Sequence, residues 1–226
     1  MLLSKLFYLQ FLNEEIIQAE KERINSLGTD SMRLATAMTD LQLWTVFKNG
    51  DKDALGILFK RYYPILFQYG MKLCHKNELL EDCIQELFIE LWQSKSDNEI
   101  KSVKAYLLKA TRYKIFKALK HGPYTDSAKT VSDEMNFDIS HENFLIAEEE
   151  NIKKAKQVLD AINALPMRQK EIIYLKIYQN MEYEHICEIM GINYQVARNL
   201  FSQAIKSLRK LISMFVLIMP EIITRF

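Results

Sequence analysis

Leu80, Ile84, Leu87, Phe88, Leu91 and Trp92 recur at i, i+4, i+7, i+8, i+11 and i+12, one unbroken apolar stripe at the helical period. Glu81, Asp82, Gln85, Glu86 and Glu90 fill the rest of the circumference, so this helix buries one side and shows a carboxylate-rich one. Before it, Leu55, Leu58, Phe59 and Tyr62 mark a helix that Pro64 is expected to end. After it, residues 94–102 are polar and aperiodic and read as a loop. A helix from about Val103 to Lys120 then places Leu107, Leu108, Thr111, Ile115, Ala118 and Leu119 on one arc. Gly and Pro number only ten in 226 residues, about 4% against a usual total of about 12%, which leaves little turn chemistry for many short strands. The fold class predicted is all-α.

With 49% apolar and 26% charged residues the chain can bury cores, and disordered, collagen-like and secreted mini-protein classes are excluded. Three cysteines without paired spacing fit a reducing, cytoplasmic setting better than a disulfide framework. His75 beside Cys74, and His185 two before Cys187, lack the paired motifs of a metal site, so no metal or cofactor is expected. Cys187 reads better as a small residue inside a helix pair. The carboxylates of 78–90 have no His, Lys or Ser neighbour for acid–base work, and no glycine-rich phosphate loop occurs. Neither an enzyme nor a small-molecule substrate is expected.

The net charge of +1 is a sum of opposed blocks. Residues 77–94 hold five acids and no Lys or Arg, and 101–121 hold seven Lys/Arg and no acid. Residues 122–150 balance to −7 and 151–210 to +5. Such blocks face different partners.

This divides the chain into an N-terminal extension (1–37), a first helical domain (38–121), a flexible acidic linker (122–150), a second helical domain (151–211) and an apolar tail (212–226). His121-Gly122-Pro123 stops the first domain's last helix. The second domain reads as a helix over Ala155, Val158, Leu159 and Ile162, a helix from Arg168 to Ile177, a third from Met181 to Met190, and a last one running to about Leu211. The apolar start is followed by Asn13-Glu14-Glu15 where a signal peptide would place small residues, so no export signal is read, and Met32 or Met38 is an alternative start. No run reaches the roughly 18 apolar residues of a membrane span; Leu211–Met219, closed by Pro220, is read as a docking tail or the last helix's end.

The segment Tyr183–Leu200, YEHICEIMGINYQVARNL, has the order of a helix-turn-helix: Cys187 allows close crossing, Gly191 takes the left-handed turn, Asn193 caps the next helix, and Ile192, Ala197 and Leu200 fill the wedge. A wheel over the last helix buries Ala197, Leu200, Phe201, Ala204, Leu208 and Leu211, and turns Gln195, Arg198, Asn199, Ser202, Lys206 and Arg209 outward. Arg reads guanine, and Asn or Gln reads adenine, in the major groove, so the early members suit base reading and the later cations phosphates. On the 103–120 helix, Lys109, Arg112, Tyr113, Phe116 and Lys120 share an arc. Cations interleaved with rings suit an unpaired strand; Tyr113 and Phe116 as plain core residues is the other reading, and both stand at this point.

The order of acidic helix, polar loop, basic aromatic helix, acidic linker and helix-turn-helix resembles the sigma-70 family, specifically its short extracytoplasmic-function group. The resemblance covers about residues 40–211. Its most specific pieces are Glu81-Asp82-Cys83-Ile84-Gln85-Glu86-Leu87-Phe88 with Trp92, which is similar to region 2.2, and Leu165-Pro166-Met167-Arg168-Gln169-Lys170-Glu171, which is similar to region 4. The resemblance implies a sigma factor that binds core RNA polymerase, through the β′ coiled coil and β flap, and directs initiation at promoter DNA. It makes Asp82, Gln85 and Glu86 the core-binding candidates. It assigns −10 opening to the 94–102 loop and the helix bearing Lys109, Arg112, Tyr113, Phe116 and Lys120. It assigns −35 reading to Gln195, Arg198, Asn199, Ser202 and Gln203, with Arg168, Lys170 and Lys206 on phosphate. It further implies a cytoplasmic, nucleoid-associated protein regulated by a membrane-tethered anti-sigma factor.

The sequence departs from the family at Tyr106, Tyr113 and Lys117, where Trp, Asn and Asp are frequent, and at Leu200, Gln203 and Ile205, where relatives are richer in Arg. Fewer cations there imply weaker salt dependence. Two rivals lack the region 2.2 likeness: a free-standing helix-turn-helix regulator that never touches core polymerase, and a helical interaction protein.

Overall fold

The computed structural model describes residues 38–94, 99–121, 137 and 158–223, with side chains as far as Leu211 except that of His121. The expected extension 1–37, the linker apart from Phe137, the first part of the 151–162 helix, and the side chains of the tail lie outside the described residues. Described elements are helices joined by turns, and the chain divides into two compact units between Leu58 and Phe59.

In the first unit, α1 (Asp40–Lys48) starts at a reciprocal cap: the Gln42 amide donates to Thr39 Oγ1 at 3.3 Å and the Thr39 amide to Gln42 Oε1 at 2.8 Å. It buries Leu43, Trp44 and Phe47, the two rings meeting edge-on at 5.3 Å. After Gly50, the Asp51 carboxylate accepts the Asp53 and Ala54 amides at 2.8 and 3.0 Å and opens α2 (Lys52–Cys74), whose early Ala54 and Leu58 are buried.

The second unit takes α2 from Phe59 onward. Pro64 was expected to end this helix, but α2 runs through it to Cys74. Tyr62, Leu66, Tyr69 and Leu73 are buried at i, i+4, i+7 and i+11, a stripe that holds the helix across the break. Pro64 itself sits on the exposed side, where water can serve the carbonyl its ring frees. His75, at φ 48°, turns the chain into α3 (Asn77–Gln93), which buries Leu80, Cys83, Ile84, Leu87, Phe88 and Leu91. Trp92, read as the end of that stripe, is instead exposed at the helix's last turn.

A polar connection, with 95–98 outside the described residues, leads to α4 (Val103–His121), where Ser102 Oγ accepts the Ala105 amide. Leu107, Leu108, Thr111, Ile115 and Leu119 are buried as the wheel places them, and α4 packs on α3. At Gly70, α2 lies tight against both: a Cβ there would stand 3.1 Å from Ile115 Cδ1 of α4 and would overlap Leu80 of α3.

Past the linker, residues 158–163 are helical (α5) and bury Leu159, Ala161 and Ile162. Pro166 then opens α6 (Met167–Ile173). The single helix expected from Arg168 to Ile177 widens after Ile173 into a π-helical turn, Tyr174–Tyr178, with the Gln179 amide donating to Tyr174 O. Helix α7 (Tyr183–Met190) ends at Gly191 with φ 63° and ψ 44°, and the Ile192 amide returns to Cys187 O at 3.1 Å. Asn193 Oδ1 accepts the Val196 amide at 2.8 Å and starts α8 (Tyr194–Ile223). The backbone of α8 stays helical beyond Leu211, through Pro220.

Helix α8 packs on α6 and α7 through Ala197, Ala204 and Leu208, and α4 packs against α7. Helices from before and after the linker therefore share one compact unit. At their seam, Phe137 of the linker is fully buried between Tyr69 and Tyr174, with centroids 6.2 and 5.6 Å away.

Candidate functional site

Three helical faces carry the predicted residues. On α3, Asp82 and Glu86 are exposed and Gln85 is half-buried. Glu86 and Glu90 straddle Lys114 of α4, at 3.2 and 2.8 Å from its ammonium. Burial disfavours the Lys114 charge, but hydrogen bonds to Glu90 and Glu86 outweigh it and hold its pKa above the ordinary lysine value. Asp82, one turn before Glu86, keeps the face acidic.

On α4, Lys109, Tyr113 and Lys120 are exposed. Tyr113, at 67% exposure, is no core residue; Phe116 is half-buried, with the Arg112 guanidinium 4.3 Å above its ring. Arg112 is not the open cation that the wheel implies. Its Nε donates to Glu171 Oε1 at 2.8 Å and its Nη2 to Glu171 Oε2 at 3.5 Å, and its side chain is only 19% exposed. Tyr69 Oη donates to the same Glu171 Oε1 at 2.6 Å. Burial works against the Arg112 charge, while Glu171 and Tyr69 more than restore it, leaving its pKa raised; burial and Glu171 drive the Tyr69 phenol well above its usual value.

On α8, Gln195, Arg198, Asn199, Ser202, Lys206 and Arg209 are all exposed, as the wheel places them, and so is Gln203. Gln195 Nε2 donates to Asn199 Oδ1 at 2.9 Å, which sets two amides side by side on the outer face. Tyr183 meets Tyr194 and Phe201 edge-on at 5.7 and 6.2 Å and fixes how α8 crosses α7. A recognition helix held this way can enter a major groove along its N-terminal turns. Arg168 on α6 is exposed, but Lys170, predicted to hold phosphate, is buried at 4% exposure and is not offered to a backbone phosphate in this arrangement. Helix α6 buries Lys170, Glu171, Ile172 and Ile173 consecutively, so that turn of the helix is enclosed on every side by its neighbours.

Sequence reasoning missed Tyr69, Glu171, Phe137 and Lys104, whose Nζ donates to Gln179 O at 3.0 Å. The available signal was Glu171, one of only five acids in a basic block and followed directly by Ile172-Ile173. Among the described residues no group of His, Cys, Asp and Glu could hold a metal ion, and no helix is long and apolar enough to cross a membrane.

Residues 58–122 match Sigma-70 region 2 and residues 155–208 match Sigma-70 region 4; together the two matches span just over half of the chain. Among solved structures the chain is similar to CnrH, in a complex with the cytosolic domain of CnrY, at 15% identity and a TM-score of 0.51, covering 77% of this chain and 97% of that one. It is also similar to the sigma factor RpoE of Bartonella quintana, in a complex with the anti-sigma factor NepR, at 18% identity and a TM-score of 0.46, covering 70% and 96%. No curated protein matches the sequence. The α2–α4 helices match region 2 and the helix-turn-helix after them matches region 4, and with both regions in place the chain belongs to the sigma-70 family, a sigma factor that directs transcription.

Proposed function

We propose that this protein is a short sigma factor of the extracytoplasmic-function group, a non-enzymatic, cytoplasmic initiation factor. Its α3 face docks on core polymerase, its α4 face captures the −10 strand, and its α8 face reads the −35 duplex. The observation that carries this reading is the fully exposed polar face of α8 behind a well-formed helix-turn-helix, on the same chain as an exposed carboxylate face that DNA binding has no use for. Phosphates repel carboxylates, so Asp82 and Glu86, with Gln85, suit a basic or polar protein surface: the β′ coiled coil of polymerase. Gln195, Arg198, Asn199, Ser202 and Gln203 are equipped for base edges, and Lys206 and Arg168 for backbone phosphates, with the β flap meeting the same domain. Lys109, Tyr113, Phe116 and Lys120 offer charge and rings to an unpaired strand. An anti-sigma factor tethered to the membrane is the regulator proposed: CnrH is seen in complex with the cytosolic domain of CnrY.

The test is in vitro transcription with purified bacterial core polymerase on a template carrying the region upstream of the protein's own gene, beside an Asp82→Arg/Gln85→Ala variant. Specific transcripts with the wild type and none with the variant are expected. Tight duplex binding by the protein alone, with no core association and no transcript, would instead indicate a free-standing regulator.

A further inference from the structure

Val196, in the first turn of α8, is 43% exposed, an apolar β-branched residue on a face otherwise made of amides, a hydroxyl and cations. One turn apart on the same face, Gln195 and Asn199 are joined by the 2.9 Å hydrogen bond from Gln195 Nε2 to Asn199 Oδ1. Around the helix Val196 lies about 60° from Asn199, so all three side chains point to the same side of α8.

We propose that these residues make the start of α8 a reader of two successive A·T base pairs in the −35 element: Asn199 takes the adenine, Gln195 is the positioning residue for its amide, and Val196 packs on the methyl of a neighbouring thymine. This rests on α8 being the −35 helix.

An asparagine amide pairs with adenine in one orientation, its oxygen accepting from N6–H and its nitrogen donating to N7. A terminal amide held by nothing turns over and offers the reverse pattern as readily. The Gln195 bond takes one lone pair of Asn199 Oδ1 and leaves the second for adenine N6–H, with both Nδ2 protons still to give, so the amide is set before DNA arrives. Guanine presents O6 where adenine presents N6–H, which puts an acceptor against the Asn199 oxygen and excludes that base. Val196 has nothing to offer a phosphate or a polar base edge, and the thymine methyl is the apolar group that the major groove displays. Three residues span about 4.5 Å along the helix axis, and one base-pair step is about 3.4 Å, so the two contacts fall on neighbouring pairs.

The test uses the holoenzyme formed with core polymerase. A pool of fragments from upstream of the protein's own gene, randomised over the −35 element alone, is selected for holoenzyme binding. The selected duplex is then remade with 7-deazaadenine at each adenine, which lacks N7, or uracil at each thymine, which lacks the methyl. Two successive A·T pairs are expected. One adenine should lose about tenfold in affinity on 7-deaza substitution, the worth of one hydrogen bond, and the neighbouring thymine about fourfold on losing its methyl. Asn199→Ala should abolish the first sensitivity and spare the second, and Val196→Ala the reverse. Gln195→Met keeps length but no donor and should lose most of the adenine preference, whereas Gln195→Lys keeps a donor and should retain it; a merely structural Gln195 would shift all sequences alike. Equal adenine preference in Gln195→Met and wild type would overturn the positioning role. A selected element without adjacent A·T pairs, or one indifferent to both base analogues, would overturn the proposal; if Arg198→Ala still removes that element's preference, α8 remains the −35 helix and only the A·T assignment falls. If no element is selected and no α8 substitution changes binding, the reading of α8 falls with it.

Discussion

Helices α4 and α8 each carry a row of polar and cationic residues opposite an apolar arc, yet they meet the solvent differently. In α8 the whole row from Gln195 to Arg209 is open. In α4 the central cation, Arg112, is closed over by Glu171 while Lys109, Tyr113 and Lys120 on the same arc stay exposed. The difference lies in who the packing partners are. The apolar face of α8 is covered by α6 and α7, the helices that precede it in sequence, which leaves its other face to solvent. Helix α4 is covered on one side by α3 and on another by α7, an element that lies beyond the linker. A wheel reports which residues share a face; it does not report that a distant helix will cover part of that face.

The comparison breaks most sharply on two arginines. Arg112→Ala leaves the Glu171 carboxylate buried without its cation and should lower stability in urea denaturation by up to about 3 to 5 kcal/mol, the upper limit holding while the seam stays shut. Arg198→Ala, on an open face, should change stability by no more than about 0.5 kcal/mol. Equal effects would show that Arg112 is as free as Arg198. Two glycines sharpen the contrast further. Gly70→Ala pushes a methyl into Leu80 and Ile115, both fully buried, and should cost about 1 to 3 kcal/mol by overpacking. Gly191→Ala meets nothing within 4 Å and should cost about 1 kcal/mol through its left-handed φ alone. Thermal melts of the two variants, compared side by side, check the order.

Binding gives the smaller effects. Arg198→Ala should lose about 1 to 3 kcal/mol at one −35 base pair, seen in competition binding across single-base-pair substitutions, and an even loss on every sequence would contradict base reading. Lys206→Ala should weaken binding evenly across sequences and reduce the slope of log affinity against log salt by about 1.

Much of this was legible in the sequence. The α3 stripe, the buried arc of α4, the Gly191 turn and the Asn193 cap follow from periodicity and from the chemistry of single residues, and the structure holds them where they were read. Pro64 lies within a helix because the apolar stripe on both sides of it outweighs a single lost hydrogen bond at an exposed position. Lys170 is buried and Arg112 engaged because α6 is enclosed by elements distant in sequence. Trp92 is exposed because a stripe drawn at the ideal period drifts off the contact at the helix's end. The burial of Lys170 and the engagement of Arg112 depend on tertiary neighbours that no local pattern encodes. Of the site, the α8 row was fully readable, the α4 row only in part, and the Tyr69–Glu171 contact not at all, since it joins residues 102 positions apart.

The central claim is that this chain opens promoter DNA only in partnership with core polymerase. Permanganate footprinting of its own promoter measures this directly by marking unpaired thymines. Reactive thymines confined to the −10 region, present with core and the wild-type protein together, absent with either alone and lost with the Asp82→Arg/Gln85→Ala variant, are the predicted result. Reactivity with the protein alone, or none with the complete mixture despite stable core binding, would contradict it.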